Sequence, residues 1–353
     1  EISLQIELKE SAWLLDDIVV RPQVNKKQPL NKMAAASARM FSVEEANRYA
    51  GGLDDPARLV SSFAGVAGSI SSNGIVVRGN SPQFLQWRLE GVEIPNPTHF
   101  PDVTGIGGGI ITALSSQVLG NSDFFTGAFP AEYGNALSGV FDMHLRTGNN
   151  QKRDSTFQIG TLGLDVASEG PFRKGGRASY LFNYRYSTMN LIDKMIPGGL
   201  GEAAGIKYQD LSFKLNFPTR KAGILSIWGI GTIDRYTMDA KNDSTTFLTE
   251  DNKISNRAHQ YMGAAGIAHK YFLPGNAYVQ TNLALTYRSN DLQSRRTDSL
   301  MNRKLEFDLQ GQNTDLVLNS FLNKKFSARH TNRTGITAKI LFYDLNYNHC
   351  EPH

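Results

Sequence analysis

The chain has 353 residues, with 33 glycines, 19 phenylalanines, 13 tyrosines and a formal net charge of +4. This glycine and aromatic content favours a turn-rich β protein over a helical one, and so small a charge gives no argument for nucleic acid as a partner. The single cysteine, Cys350, excludes an internal disulfide framework and a cysteine-rich metal site. No stretch approaches 18 uninterrupted apolar residues, so the sequence predicts no transmembrane helix.

Two β-prone segments open the chain. Residues 1–10 alternate apolar and polar side chains, which predicts the last strand of a domain that lies mostly upstream. Residues 13–20, WLLDDIVV, end in a β-branched run, and Pro22 and the polar stretch 25–29 then predict a linker. An isolated β-prone segment beside a linker is suited to adding a strand to a partner's sheet. Pairing within the chain's own sheet is the alternative, and the residues alone leave both open.

Residues 31–148 predict a compact unit of short helices and strands. Ser42 and Glu45 have the spacing of a capping box at the start of one helix. Pro56 predicts the first turn of a second helix, over 57–63.

The stretch 75–95, IVVRGNSPQFLQWRLEGVEIP, predicts the strands of this unit. Arg78-Gly79 predicts an exposed corner, and Glu90-Gly91 predicts a tight hairpin turn. Further strands are predicted over 84–89, 92–94, 115–125 and 139–146.

From about residue 149 the pattern changes to long period-two alternation. Over 178–186 the aromatic side chains share one face, and 278–288 and 336–342 alternate in the same way. An apolar face opposite a polar one is what a transmembrane β-barrel needs, with lipid on one side and water on the other. Short connections at 172–177, 218–223, 273–276 and 323–330 alternate with long polar ones at 188–208, 235–257 and 290–304. That alternation is typical of an outer-membrane barrel.

The second half of the chain is too short to form a barrel that could hold the first half inside it. Residues 149–353 hold roughly eight or nine strands, and a barrel of about 8 strands has room only for side chains, whereas plugged barrels have about 22. We therefore expect the chain to be the N-terminal part of a larger protein.

The order of these motifs resembles that of a TonB-dependent outer-membrane receptor of the Bacteroidetes type. Residues 59–66, LVSSFAGV, are similar to the family's segment ending in Pro-Gly-Val, with Ala64 in place of proline. Residues 76–79, VVRG, match its Ile-Arg-Gly signature. Residues 89–94, LEGVEI, match its Leu-Asp-Gly-Val-Pro-Leu hairpin with two replacements, and 126–146 resemble the segment that closes the plug.

The resemblance implies an α+β plug domain at 31–148, followed at 149–353 by antiparallel transmembrane β-barrel strands, the N-terminal part of a 22-stranded barrel. It implies that residues 1–10 end a carboxypeptidase-regulatory-like domain and that 11–30 hold a TonB box and linker. The implied function is energy-coupled import across the outer membrane of a Gram-negative cell, with the plug and N-terminus on the periplasmic side. The implied partners are TonB with ExbB/ExbD, outer-membrane lipid, a surface lipoprotein, and a small-molecule, glycan or peptide substrate.

Three groups of site residues follow from the resemblance. Arg78 and Gly79 would form an ionic latch between plug and barrel, the alternative being an ordinary turn arginine in water. The loops at Glu90, Asn96, His99 and Phe100 would face the substrate. The TonB box would comprise Asp16, Asp17, Ile18, Val19 and Val20.

Other kinds of site have weaker signals. His99 with Asp102 and Glu93 could be drawn as a metal site, but one histidine in a proline-rich loop is more often solvated or a substrate contact. The glycine-rich stretch 101–112 predicts a loop and does not follow a strand in the dinucleotide-binding pattern. No motif of a serine hydrolase, zinc protease or P-loop is present, so we expect no catalytic residue and no cofactor. A surface adhesin with a barrel anchor and a secreted β-rich hydrolase are the alternative functions. Four potential metal-ligating residues lie near the end of the chain, and chance is the better explanation of their grouping: His349, Cys350, Glu351 and His353.

Overall fold

The structure is a computed structural model. The described residues are 28–42, 45, 55–68, 73–101, 107–109, 111–160, 163–195, 205–240, 250–298 and 300–350. The segments expected to end an upstream domain and to form the TonB box lie outside these residues, and the expected domain boundaries stay predictions.

The plug unit, which is the described part of the chain between 28 and 148, is built on short strands. They are β1 (Ala38–Phe41), β2 (Val66–Ala67), β3 (Val76–Val77), β4 (Gln86–Leu89), β5 (Val92–Ile94), β6 (Ser122–Phe125) and β7 (Val140–Met143). Five of them form a mixed sheet in the order β1-β6-β7-β4-β5, in which β4 runs parallel to β7. The core lies on this sheet, where Trp87 stacks on Phe141 with ring centroids 4.2 Å apart.

The helices of the plug unit begin where the capping residues predict. Helix α1 (Pro56–Leu59) continues as a 3-10 turn, Val60–Ser62, and the Asp55 carboxylate accepts from the backbone N–H of Ala57. Ser42 and Glu45 make the reciprocal hydrogen bonds of a capping box, each 3.3 Å long, and most of that first helix lies outside the described residues. None of the described helices is long and apolar enough to cross a membrane.

Both predicted turns are confirmed, and three predicted strands are too long. Glu90 and Gly91 have φ of +53° and +83°, as a two-residue hairpin turn requires, and the Arg78-Gly79 corner is similar, at +51° and +85°. Residues 82–84 form a 3-10 turn instead of a strand start, because Pro82 lacks a backbone donor. Residues 115–121 precede β6 as turns, in which the Ser115 hydroxyl accepts from the Gln117 N–H. The strand expected at 139–146 shortens to β7 (Val140–Met143).

The second part of the chain is a sheet of nine antiparallel strands in chain order, called the barrel wall. Its strands are β8 (Asp154–Ile159), β9 (Leu164–Pro171), β10 (Ser179–Tyr186), β11 (Ile206–Pro218), β12 (Ile224–Met238), β13 (Ile254–Leu273), β14 (Ala277–Thr297), β15 (Arg303–Lys325) and β16 (Thr331–His349). Helix α2 (Met189–Met195) lies in the connection between β10 and β11, where the sequence predicted only a loop.

The predicted two-faced strands are confirmed on the central strands of the wall. On β14, Leu283 and Leu285 point outward with about half of their surface exposed, 48% and 52%. Their neighbours Asn282, Ala284 and Thr286 are buried on the inner face. The apolar side therefore faces away from the plug unit.

One predicted long connection is wrong. Strand β14 continues to Thr297 and strand β15 begins at Arg303, so the connection between them is only 298–302 instead of the expected 290–304. These strands have 21 and 23 residues, whereas about 9–11 residues cross a bilayer. The part of a strand that extends beyond the lipid can be polar on both faces. Its composition then resembles that of a loop, which is why the sequence predicted a loop here.

Candidate functional site at the plug–barrel interface

The plug unit packs against the inner face of the barrel wall. Leu89 and Val92 of the plug hairpin belong to the same buried cluster as Trp228, Ile230 and Ala284 of the wall. This shared core brings polar side chains of both parts into contact at its two ends.

The first polar contact is His99, in the loop after β5. Its backbone N–H donates to the Ile111 carbonyl at 2.8 Å, which fixes the loop against the chain that returns from it. The imidazole has no exposed surface: Nδ1 lies 2.6 Å from Oδ1 of Asp234, and Nε2 lies 3.0 Å from Oδ2 of Asp210. The Phe100 N–H also donates to Asp234, at 3.2 Å.

Arg185 of β10 completes this cluster from the wall. Its Nη2 lies 2.9 Å from Oδ2 of Asp210 and donates to the Thr112 carbonyl of the plug unit. With His99 protonated, two cations face the carboxylates of Asp210 and Asp234, so the formal charges of the cluster cancel. Balanced charge is what makes burial of these groups tolerable.

The protonation of His99 follows from its surroundings. Burial alone would lower the pKa of the imidazole, but the adjacent carboxylates of Asp234 and Asp210 raise that pKa to about 9. Because each ring nitrogen meets a carboxylate, both nitrogens act as donors, as only the imidazolium ion can. His99 is therefore a positive charge at neutral pH.

The second polar contact is Glu90, at the turn of the plug hairpin. Its carboxylate accepts from Nζ of Lys214 and from the Leu145 N–H, both at 2.8 Å. The Glu90 carbonyl accepts from the Asn282 side chain at 3.0 Å. Lys214 also donates to the Leu145 carbonyl at 2.9 Å, so the ion pair is tied to the plug backbone.

The two contacts lie at different levels of the wall, with Asp210 and Lys214 four residues apart on β11. Asp210 and Asp234 lie next to the long connections, 187–205 and 239–253, whereas Lys214 and Asn282 lie near the short ones, 219–223 and 274–276. The plug unit is thus held at two levels of the wall.

The residues expected to face the substrate are buried or half-buried in this structure. His99 and Phe100 have 0% and Glu90 has 7% of their surface exposed, because all three are occupied in packing or charged contacts. Glu90 also lies nearer the short connections than His99 does. Asn96 is half-buried, and its amide donates to the Gly107 carbonyl at 3.1 Å. A direct role of these residues in substrate binding stays a prediction.

The predicted latch residue has a different environment. Arg78 is exposed, and its Nη2 lies 3.2 Å from the Ser37 hydroxyl of the same unit. A latch at Arg78 and Gly79 stays a prediction. In the described ranges, further ion pairs between plug unit and wall join Arg146 to Glu169, Glu132 to Arg333 and Glu93 to Lys339, at 2.7, 3.0 and 3.8 Å.

The wall partners of His99 carried a signal in the sequence. Along β11 and β12, alternate side chains face inward and outward, and Asp210 and Asp234 lie at inward positions while most outward positions are apolar. A charged side chain on the inner face of such a strand indicates a contact inside the barrel. Among the described residues, no group of three or more His, Cys, Asp or Glu side chains is placed to hold a metal ion.

No protein-family model and no curated protein matches the chain at the significance that we required. Solved structures do. The pyoverdine outer membrane receptor FpvA from Pseudomonas aeruginosa PAO1 aligns with a TM-score of 0.62 at 11% identity, over 91% of this chain and 48% of FpvA. The siderophore receptor PirA from Acinetobacter baumannii has a TM-score of 0.52 at 15% identity, over 86% of this chain and 48% of PirA.

A third structure, the outer membrane transporter YddB from Escherichia coli, aligns with a TM-score of 0.52 at 13% identity, over 88% of this chain and 48% of YddB. At such identities the likeness shows the fold. The chain has the plug-and-barrel-strand fold of TonB-dependent outer-membrane receptors, and it spans about half the length of these three proteins.

The His99 cluster predicts a pH dependence of plug docking. The pKa of His99 rises from 6.5 to about 9, so its stabilisation is fully present below pH 6.5 and is lost as the pH rises through 9. The shift corresponds to on the order of 3 kcal/mol. We expect urea to release the plug at a lower concentration at pH 10 than at pH 7, as followed by tryptophan fluorescence. His99→Gln should remove most of this pH difference, and an unchanged difference would exclude His99 as its source.

Substitutions at His99 and Asp234 distinguish the cost of an unpaired buried charge from the cost of lost packing. His99→Leu leaves Asp234 buried without its cation and should weaken plug docking by about 3–5 kcal/mol. His99→Leu combined with Asp234→Leu should recover most of that loss, because an apolar pair can replace a buried ion pair. The urea midpoint measures both, and His144→Leu at a half-buried plug histidine away from the wall contacts described above is the matched control. A double variant weaker than His99→Leu would contradict this explanation.

Proposed function

We propose that the protein is a TonB-dependent outer-membrane receptor of the Bacteroidetes type that imports a scarce substrate by energy-coupled displacement of its plug. The full barrel would have 22 strands and lie in the outer membrane of a Gram-negative cell. The observation that carries this proposal is a separate α+β unit seated on the polar inner face of a two-faced sheet through buried charge pairs. A barrel that served only as an anchor would not need such a unit.

The nature of these contacts suits a plug that must seal and then move. Hydrogen bonds and close ion pairs weaken steeply once the heavy atoms separate by roughly 1 Å beyond the usual 3 Å. A short displacement therefore breaks the His99 and Glu90 contacts, whereas a purely apolar interface loses its stabilisation gradually with area. The plug would be held firmly at rest and released over a small distance.

The entry of the N-terminal linker into the plug unit is also built to transmit force. The backbone N–H groups of Leu30 and Asn31 donate to the Asp123 carboxylate at 2.9 and 2.7 Å. Burial raises the pKa of Asp123, while these two backbone donors lower it. A pull on the linker would act directly on β6, in the middle of the plug sheet's antiparallel part.

The linker also enters at the short-connection end of the wall. The Asn31 side chain donates to Glu132, and Glu132 pairs with Arg333, which lies just after the short connection 326–330. Short connections face the periplasm in outer-membrane barrels. This supports a TonB box at Asp16, Asp17, Ile18, Val19 and Val20 within reach of periplasmic TonB, to which it would add a strand.

The remaining partners are part of the same proposal. TonB would be energised by ExbB/ExbD, and the substrate would be a small molecule, a glycan or a peptide, with a surface lipoprotein as a further partner. The protein would carry out no catalysis.

Binding to TonB tests this function without knowledge of the substrate. The full-length receptor in detergent should bind the periplasmic domain of its host's TonB, and deletion of residues 16–20 should abolish binding, because the strand that pairs with TonB is lost. Deletion of 23–27 in the linker, of the same length, is the control and should preserve binding. Binding that survives the first deletion would refute coupling through this segment. An adhesin would bind TonB in neither form.

A further inference from the structure

The outward face of the barrel wall carries a row of basic side chains on the side of the long connections. Lys207 of β11 is the cross-strand partner of Arg235 on β12, which in turn is the partner of His259 on β13. All three are exposed, and Arg257 lies exposed two residues further along β13. Adjacent strands are about 4.8 Å apart, so three neighbouring strands bring these side chains into a strip about 10 Å wide.

None of these four basic side chains makes an ion pair within the described chain. The row of basic side chains ends at β14, where Asp291 is the cross-strand partner of His259. The positive charge is therefore available to an anion from outside the protein.

An apolar groove lies directly beside the row, toward the short connections. Gly231 and Gly263 are cross-strand partners there, and a Cβ added to either would meet no atom closer than 3.6 Å. The absence of side chains leaves a groove of about 630 Å³. Apolar and aromatic side chains border it: Tyr184, Leu211, Ile233, Tyr261 and Tyr287.

The position of the two features on the wall points to one kind of ligand. The groove lies within the outward apolar face, and the cations begin where that face ends, which is where lipid headgroups meet a barrel. Basic residues alone at this rim would attract any anionic surface. A groove immediately below them on the same strands adds a place for an acyl chain.

We propose that this surface binds a phosphorylated lipid, with an acyl chain in the Gly231–Gly263 groove and the phosphate on Lys207, Arg235 and His259. The proposal rests on the membrane placement in the proposed function and adds a defined ligand site on the outer wall. Arg257 extends the contact toward a larger or doubly phosphorylated headgroup.

Native mass spectrometry of the delipidated full-length protein tests the charge contacts. Dioleoyl phosphatidic acid should bind about tenfold or more tightly than dioleoyl phosphatidylcholine, since the added cations act on an unshielded phosphate. The double variant Lys207→Gln with Arg235→Gln should lose about 25-fold, at about fivefold for each basic residue. The matched control, Arg220→Gln with Lys221→Gln, removes the same charge at the opposite rim and should change nothing.

A second variant tests the groove. Gly263→Leu fills it from an open position and should weaken binding of dioleoyl phosphatidic acid while leaving both cations in place. Equal binding of the two lipids, an equal loss in the opposite-rim control, or inorganic phosphate binding as tightly as phosphatidic acid would each overturn the proposal. TonB binding is measured separately, so a failure here is distinguishable from a failure of the proposed function.

Discussion

The arrangement of the two parts of this protein depends on one buried charge, the imidazolium of His99. An ion without a partner in the interior is costly, so the plug loop can occupy only the position in which both ring nitrogens meet Asp210 and Asp234. That requirement selects one register of the plug on the wall. The Glu90–Lys214 pair, nearer the short connections, then fixes its orientation, and the shared apolar cluster fills the remaining contact.

The distribution of these contacts also gives an order to plug release. The linker enters beside Asn31, where Glu132 and Arg333 form the nearest ion pair to the wall. The His99 cluster lies farther from that entry, on the side of the long connections. A pull on the linker, as in the proposed function, would load the near contacts first and reach His99 last.

Much of the fold could be predicted from local pattern. Period-two alternation identified the faces of β10 and β14, and two residues with positive φ identified the Glu90-Gly91 turn, because both are properties of short stretches. The contacts of His99 could not be predicted, since its partners lie 111 and 135 residues away and parity tells only which face a residue occupies. The loop expected at 290–304 failed for a related reason: outside lipid, strand and loop have the same composition.

The most direct test of the central claim is the force needed to pull the plug from the barrel by its N-terminus, measured on single full-length molecules in a lipid bilayer. The account predicts a final rupture event that weakens in His99→Leu and recovers when Asp234→Leu is added, with earlier events unchanged. Extraction forces that are the same in wild type and His99→Leu would contradict it, because the buried imidazolium would then contribute nothing to holding the plug.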